Sequence, residues 1–213
     1  MSQPGKKECE VPQPGKLDPE LNEFWVGNPF NIFQQNNLSS FERNRAYINV
    51  EGKGFLEFSH LSGADTDSDS RAVLALDIFE PGKMDLVVRQ VGGDPLAIYR
   101  NEFPTLNYLK VSLDGVKSNS KGLGSKLIAH VGDRKIVREM YPINSYQSQQ
   151  PAWCHFGLSK AEKVDKLEVV WPSGVKQEFT DVAANQHILI IEENDEIKNF
   201  AMSKPARQSM PTK

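Results

Sequence analysis

The sequence predicts an all-β protein, and three observations carry that reading. Short apolar runs alternate with a period of two, turn residues separate them at close intervals, and no long amphipathic helical stretch occurs. From the N-terminal side, residues 44–49 and 55–58 flank Gly52-Lys53-Gly54 and read as a hairpin. Residues 71–76 and 84–89 are two more strands separated by Pro81-Gly82, and residues 97–99 form a short strand before Arg100-Asn101. These segments are expected to make one sheet of about four or five strands.

In residues 108–113, Leu109, Val111 and Leu113 alternate with Tyr108, Lys110 and Ser112, the period of a half-buried strand. Residues 127–131 and 135–141 flank Gly132-Asp133, and glycine at the first central position suits a type II′ hairpin turn. Leu167, Val169 and Trp171 share one face, Pro172-Ser173-Gly174 turns the chain, and Val175, Gln177 and Phe179 return along a partner strand. Residues 187–191 are a continuous, isoleucine-rich apolar run too short for a helix, so a strand buried on both faces is expected. Elsewhere only turns are expected, near residues 160–164 and 180–184.

At 213 residues the chain can bury one good core or two small ones, and its 38% hydrophobic content is ordinary for a globular protein. A formal net charge of -3 with scattered Lys and Arg gives no basic footprint for nucleic acid. No apolar run approaches the roughly 18 residues that a transmembrane helix needs, and Lys6-Lys7 is not followed by the apolar stretch of a signal peptide. Residues 1–23, rich in Pro, Gly, Lys and Glu, read as a disordered tail, and residues 196–213 as a polar C-terminal tail. Between residues 24 and 41, Trp25, Phe30, Ile32 and Phe33 follow no period, which suggests an irregular peptide that packs aromatics on a sheet. Two cysteines, Cys9 and Cys154, lack metal-ligand spacing; they could bridge each other but cannot build a disulfide framework.

Asp65, Asp67 and Asp69 alternate in a loop, as hard oxygen ligands for calcium do, although an EF-type loop would need Gly where Ser70 stands and Glu where Leu76 stands. A solvated acidic loop is the first reading there and calcium the alternative. Gly122-Leu123-Gly124-Ser125-Lys126 has phosphate-loop chemistry without Walker or Rossmann spacing, so its glycines are expected to permit a tight bend. No Gly-x-Ser-x-Gly elbow is present, and His155 in an apolar strand reads as a core or edge histidine bonded to backbone or to a neighbouring loop. His60, His130 and His187 are isolated and show no ligand spacing. Tyr146, Gln147, Gln149, Trp153 and Trp171, with Asn119 and Asn144, form a pool of aromatic and amide groups able to stack on and hydrogen-bond a sugar. The inward face of Trp171 assigns it to the core, which leaves Asn119, Tyr146, Gln147 and Gln149 as the ligand-binding candidates. No catalytic residue is expected.

Four phrases occur in order: residues 118–124 (Ser-Asn-Ser-Lys-Gly-Leu-Gly), 145–149 (Ser-Tyr-Gln-Ser-Gln), 155–158 (His-Phe-Gly-Leu) and 171–174 (Trp-Pro-Ser-Gly). Together they resemble the ASPIC/UnbV domain, with Ser120 where that family commonly has Arg. Upstream, the Asn44-Arg45-Ala46-Tyr47 strand, the Gly63-Ala64-Asp65 loop, Asp77, Asp85-Leu86 and Tyr99-Arg100-Asn101 resemble a single VCBS/FG-GAP repeat, an arrangement of the cartilage acidic protein-like family. In such repeats calcium lies between two strands on four spaced carboxylates; here those positions hold Asp77, Phe79, Pro81 and Asp85, so two carboxylates are gone. The resemblance implies a blade-like sheet at residues 24–104, a β-sandwich or barrel-like domain at residues 105–195, and an extracytoplasmic location, periplasmic or secreted.

One blade leaves two faces bare, so docking on another domain or chain follows. With neither a nucleophile–base pair nor a cofactor fingerprint, the expected function is a non-catalytic interaction module. Its partner would be a protein, a second copy of the chain or a glycan, with no cofactor beyond the calcium alternative. A structural subunit of a larger assembly and an accessory enzyme of a biosynthetic pathway are the rival readings.

Overall fold

The computed structural model describes residues 43–50, 52–66, 69–91, 96–146 and 148–200. Its regular structure is nearly all β, as expected, in open sheets without a closed barrel. The aromatic-rich segment 24–41, residues 1–23 and Cys9 lie outside the described residues. The rest groups into two compact units interleaved along the chain: residues 43–75, 86–100 and 145–148 form the first, and residues 76–85, 101–144 and 149–200 the second.

In the first unit β1 (Tyr47–Asn49) and β2 (Phe55–Glu57) make the expected antiparallel hairpin, with Ile48 opposite Leu56. A single helical turn, α1 (Ser59–Ser62), follows. Then β3 (Asp69–Leu76), β4 (Asp85–Val91) and β5 (Leu96–Tyr99) form a separate three-stranded sheet in that order. The single sheet of four or five strands is therefore corrected to two sheets. The break falls where Asn44 meets Thr66 through one backbone and one side-chain bond, each 3.0 Å, instead of through a ladder. Among the described residues of this unit, Val88 is the one deeply buried apolar side chain, while Phe55 and Leu61 stay 74% and 90% exposed.

The second unit is a β-sandwich. One sheet orders β11 (Cys154–Ser159), β6 (Asn107–Asp114), β14 (Gln186–Ile191) and β15 (Ile197–Asn199). The other orders β13 (Lys176–Ala183), β12 (Lys163–Val170), β7 (Lys126–Val131) and β8 (Arg134–Glu139). A small hairpin of β9 (Ile143–Ser145) and β10 (Ser148–Gln149) precedes β11. Period-two alternation sends Leu109, Val111 and Leu113 of β6, Ile188 and Ile190 of β14, and Leu167 and Val169 of β12 into one shared core with Phe156 and Trp171. Both expected hairpins form. Gly132 carries the one positive φ of its turn, +54°, as a type II′ geometry requires, and Trp171 closes the second turn by pairing its N–H with Val175 O at 2.9 Å.

Three details depart from the expectations. β14 is buried on one face only: Ile188 and Ile190 enter the core, while His187 and Leu189 are half-buried on the opposite face. Residues 197–199 of the supposed C-terminal tail form β15, because Ile197 packs on the core and the strand pairs antiparallel with β14. The turn expected near residues 180–184 is a continuation of β13, with Asp181 held at φ +55°.

One end of the sandwich closes on a single carboxylate. Glu192 is 1% exposed, and one of its oxygens accepts the backbone N–H groups of Val116, Lys117 and Ser118 at 2.8, 2.7 and 2.7 Å. The other oxygen accepts the hydroxyls of Ser118, at 2.8 Å, and of Ser173. Burial alone would raise its pKa; the hydrogen bonds outweigh that and hold the carboxyl at about 2, against an ordinary 4.5. The loop leading on from residue 118 bends tightly, because Gly122 sits at φ +59° and a Cβ there would lie 2.8 Å from the Leu113 side chain.

A carboxyl whose folded-state pKa is depressed stabilises the fold above its unfolded pKa and loses that contribution as pH falls toward the folded one. The thermal stability of the chain should therefore fall as pH drops from about 4.5 to about 2 through this group. Glu192→Gln should lower Tm at pH 7 and flatten that acid dependence. Equal slopes in wild type and variant would remove Glu192 as the cause.

Candidate functional site

The outward face of β6 and β14 does not behave as a solvated sheet face. The strands run parallel, with His187 level with Lys110 and Leu189 level with Ser112. Period two points Lys110 and Ser112 away from the core, where long polar side chains ordinarily meet water. Here each is only 6% exposed. Residues 76–78, residues 151–153 and Phe200 rise around them and enclose a cavity of about 680 Å³, which Asp114 and Lys121 also line.

The segment Leu76–Asp85 belongs to this unit and is fixed in it by two carboxylates. Asp85 accepts the N–H groups of Ile78 and Phe79 with one oxygen and that of Asn101 with the other, at 3.0, 3.2 and 2.8 Å. Asp77 accepts the Gly82 N–H at 2.9 Å and the Lys110 ammonium on both oxygens, at 2.8 and 2.9 Å. Gly82, at φ +76°, lies flat against Tyr108, and a Cβ there would fall 2.0 Å from the ring. His155 Nε2 is 2.9 Å from Gly82 O and must carry the proton, which bears out its expected bond to a neighbouring loop. Burial works to raise the pKa of Asp77, but the Gly82 N–H and the Lys110 charge bring it below the ordinary carboxylate value.

Lys110 has a second partner: its ammonium lies 4.4 Å from the centroid of the Trp153 ring. Ser112 Oγ is 2.9 Å from His187 Nε2, and the His187 ring stacks on Phe200 with centroids 4.3 Å apart. Burial first, and then the Lys110 charge, lower the His187 pKa to about 4, so the imidazole is neutral at pH 7. Cys154, the described cysteine, is a free and buried thiol whose pKa burial pushes up to about 12, which makes it unreactive.

The sequence-predicted site residues fall elsewhere. The Asn119 side chain braces its own loop, accepting from Leu123 N at 2.8 Å and donating to Leu123 O at 2.9 Å. Tyr146 is 66% exposed at the β9–β10 turn and groups with the first unit, whereas Asn119 and the exposed Gln149 group with the second. Gln147 lies outside the described residues, as does the side chain of Asn144. Trp171 is in the core, as expected. Of the three aspartates considered for calcium, Asp67 and the side chain of Asp69 lie outside the described residues. Asp65 is half-buried as a residue, with its side chain 5% exposed, and is paired through one oxygen with Arg43 at 3.0 Å and His60 at 2.7 Å. Among the described residues no group of three or more His, Cys, Asp or Glu side chains is placed to hold a metal.

None of Lys110, Ser112, Asp77 and His187 is among the ligand-binding candidates of the sequence, where Asp77 stands only as a carboxylate of an incomplete calcium pattern and His187 as an isolated histidine. The signal was present but faint: β6 alternates cleanly, and its polar set includes a lysine and a serine whose cover comes from segments 33 and 41 residues away in the chain, by the positions of Asp77 relative to Lys110 and Trp153 relative to Ser112.

The fold and the groove together define a two-sheet β-sandwich domain with a polar and aromatic cleft over two central strands. Within it, residues 115–197 match the protein family described as ASPIC and UnbV. That stretch runs from the loop held by Glu192 to the first residue of β15. No curated protein matches the chain. No helix among the described residues is long and apolar enough to cross a membrane.

Removing one partner of a buried ion pair strands the other charge, whereas removing both relieves it. Lys110→Met should destabilise the chain by about 2 kcal/mol in urea unfolding. Adding Asp77→Asn should restore roughly half of that loss, as expected for residues in direct contact. Strictly additive losses would show that the pair is not coupled.

Proposed function

We propose that the second unit is a non-catalytic interaction module that holds a protein or glycan partner in the groove over β6 and β14. One observation carries this reading: Lys110, Ser112, His187 and Trp153 line an open cavity on the outer face of two central strands, with their polar atoms already positioned by one another. Side chains fixed in advance lose little entropy when a partner arrives. In a ligand-observed NMR screen of peptides and oligosaccharides, binders should shift the Trp153 indole and the His187 ring. A screen whose binders all perturb other positions would overturn the assignment.

The Ser112–His187 contact favours one rival, an accessory enzyme with a serine nucleophile. Its surroundings argue against acyl transfer. Ser112 lies mid-strand in β6, level with Leu189 of β14, and not on the tight strand-to-helix turn that would expose a nucleophile beside free backbone N–H groups. No described residue hydrogen-bonds His187 Nδ1 as the third member of a triad would, and a histidine with a pKa of about 4 is a weak general base at pH 7. A fluorophosphonate probe should leave Ser112 unmodified under conditions that label a serine hydrolase, and an adduct on Ser112 would revive the enzymatic reading.

The thin core of the first unit supports a role in which the VCBS/FG-GAP-like blade expected at residues 24–104 docks on a protein partner or a second copy, in the manner of a complex subunit. An extracytoplasmic location rests on the same resemblance. The saturation of Asp77 and Asp85 by N–H and ammonium donors supports a reading without a bound cofactor at that turn.

A further inference from the structure

We infer that the occupant of the groove is a neutral carbohydrate, one or two pyranose units of an oligosaccharide, an inference that rests on the interaction reading above. Three features of the groove select this chemistry over the alternatives.

The first is the floor. β6 is paired with β14 along residues 109–114 and with β11 along residues 107–111, and β14 is paired with β15 along residues 188–190. Most of their N–H and C=O groups are spent in the ladders, and the stretch outside the β11 ladder, residues 112–114, is too short for an extended peptide to be read through its main chain as it is at a long sheet edge. What remains for recognition is side-chain hydroxyl, carboxylate and ammonium, the groups that match sugar hydroxyls as both donor and acceptor.

The second is the charge. Two carboxylates, Asp77 and Asp114, face two ammonium groups, Lys110 and Lys121, and His187 is neutral at pH 7, so the groove carries no net charge. Asp77 and Lys110 also consume each other's charge at 2.8 Å. Among the described residues, an anionic polymer or a phosphorylated group would find Lys121 alone outside an ion pair, with Asp114 lining the same groove, whereas a neutral polyol needs no cation.

The third is the aromatic wall. Phe200 stacks on His187 through one face yet remains 39% exposed, so ring surface is presented beside Ser112. A ring plane next to convergent polar atoms suits the two-faced character of a pyranose, whose C–H face is apolar and whose rim is hydroxylated. A cavity of about 680 Å³ lies within the range of small-ligand sites and admits one or two such rings, not a folded protein surface.

The test uses the full chain in isothermal titration against four neutral pentasaccharides (maltopentaose, cellopentaose, xylopentaose and chitopentaose). Trigalacturonic acid and a neutral peptide serve as comparators, and NMR is recorded at the Trp153 indole and the His187 ring. At least one neutral pentasaccharide, the chitopentaose being used in its fully N-acetylated form, should bind and shift both signals. Phe200→Ala and Asp114→Asn, at exposed positions that should leave the fold intact, should each weaken that binding by about tenfold or more. Lys176→Ala, in the other sheet, should leave it unchanged. Binding of trigalacturonic acid or the peptide alone, with shifts at Trp153 and His187, would overturn the carbohydrate assignment and leave the interaction reading standing. Neutral-sugar binding indifferent to both groove variants would also overturn it. If no probe perturbs either ring, both readings fail.

Discussion

Three successive backbone N–H groups, those of Val116, Lys117 and Ser118, converge on one oxygen of Glu192, and two serine hydroxyls take the other. Because Glu192 directly follows β14 and its own N–H is bonded to Asp114 O at 2.9 Å, this cluster fixes the ends of β6 and β14 relative to each other. It also ties the loop after β6 to the turn between β12 and β13 through Ser173. Beside it, Trp171 donates to Gln177 Oε1 at 2.6 Å, and Gln177 donates in turn to Ile191 O and Asn194 O at 3.2 and 2.7 Å. Both sheets are thus joined at this end by the buried Glu192, Trp171 and Gln177 and the serines bonded to Glu192, each with a partner, which is the condition under which such networks specify one arrangement. The phrases Ser118-Asn119 and Pro172-Ser173-Gly174 acquire a structural meaning from it: they are two sides of one carboxylate site.

The groove depends on the same rigidity. Its floor is the reverse side of the two strands whose apolar faces fill the core, so the backbone that carries the floor side chains moves only if the sandwich does. A second buried charge is handled there in a different way. Glu192 is satisfied by N–H and hydroxyl donors and keeps its negative charge, whereas Asp77 is neutralised by the ammonium of Lys110 as well as by Gly82 N–H. The first arrangement closes an end of the fold; the second fastens the segment Leu76–Asp85 over a sheet face and raises one wall of the cavity.

The fold was largely legible in the residues. Period two in residues 108–113, glycine at position 132 and the Pro-Ser-Gly turn gave strands and hairpins that the structure reproduces, because each is a local consequence of side-chain direction and turn geometry. The expected single upstream sheet failed because strand pairing between distant segments leaves little local trace, and here Asn44 meets Thr66 through isolated bonds instead of a ladder. The last strand was hidden in a polar stretch in which Ile197 alone reports burial.

The site was much less legible. Tyr146 and Asn119 attracted notice because aromatic and amide groups in loops suit ligand contact, yet Asn119 is consumed by Leu123 and Tyr146 sits in the other unit. Sequence by itself determined which face of each strand is apolar, since alternation and hydrophobicity are properties of neighbouring residues. Tertiary structure decided what covers the opposite face. Whether Lys110, Ser112 and His187 meet water or one another depends on residues 76–85, 151–153 and 200 folding back over them, and contacts between segments so far apart in the chain have no signature in local pattern.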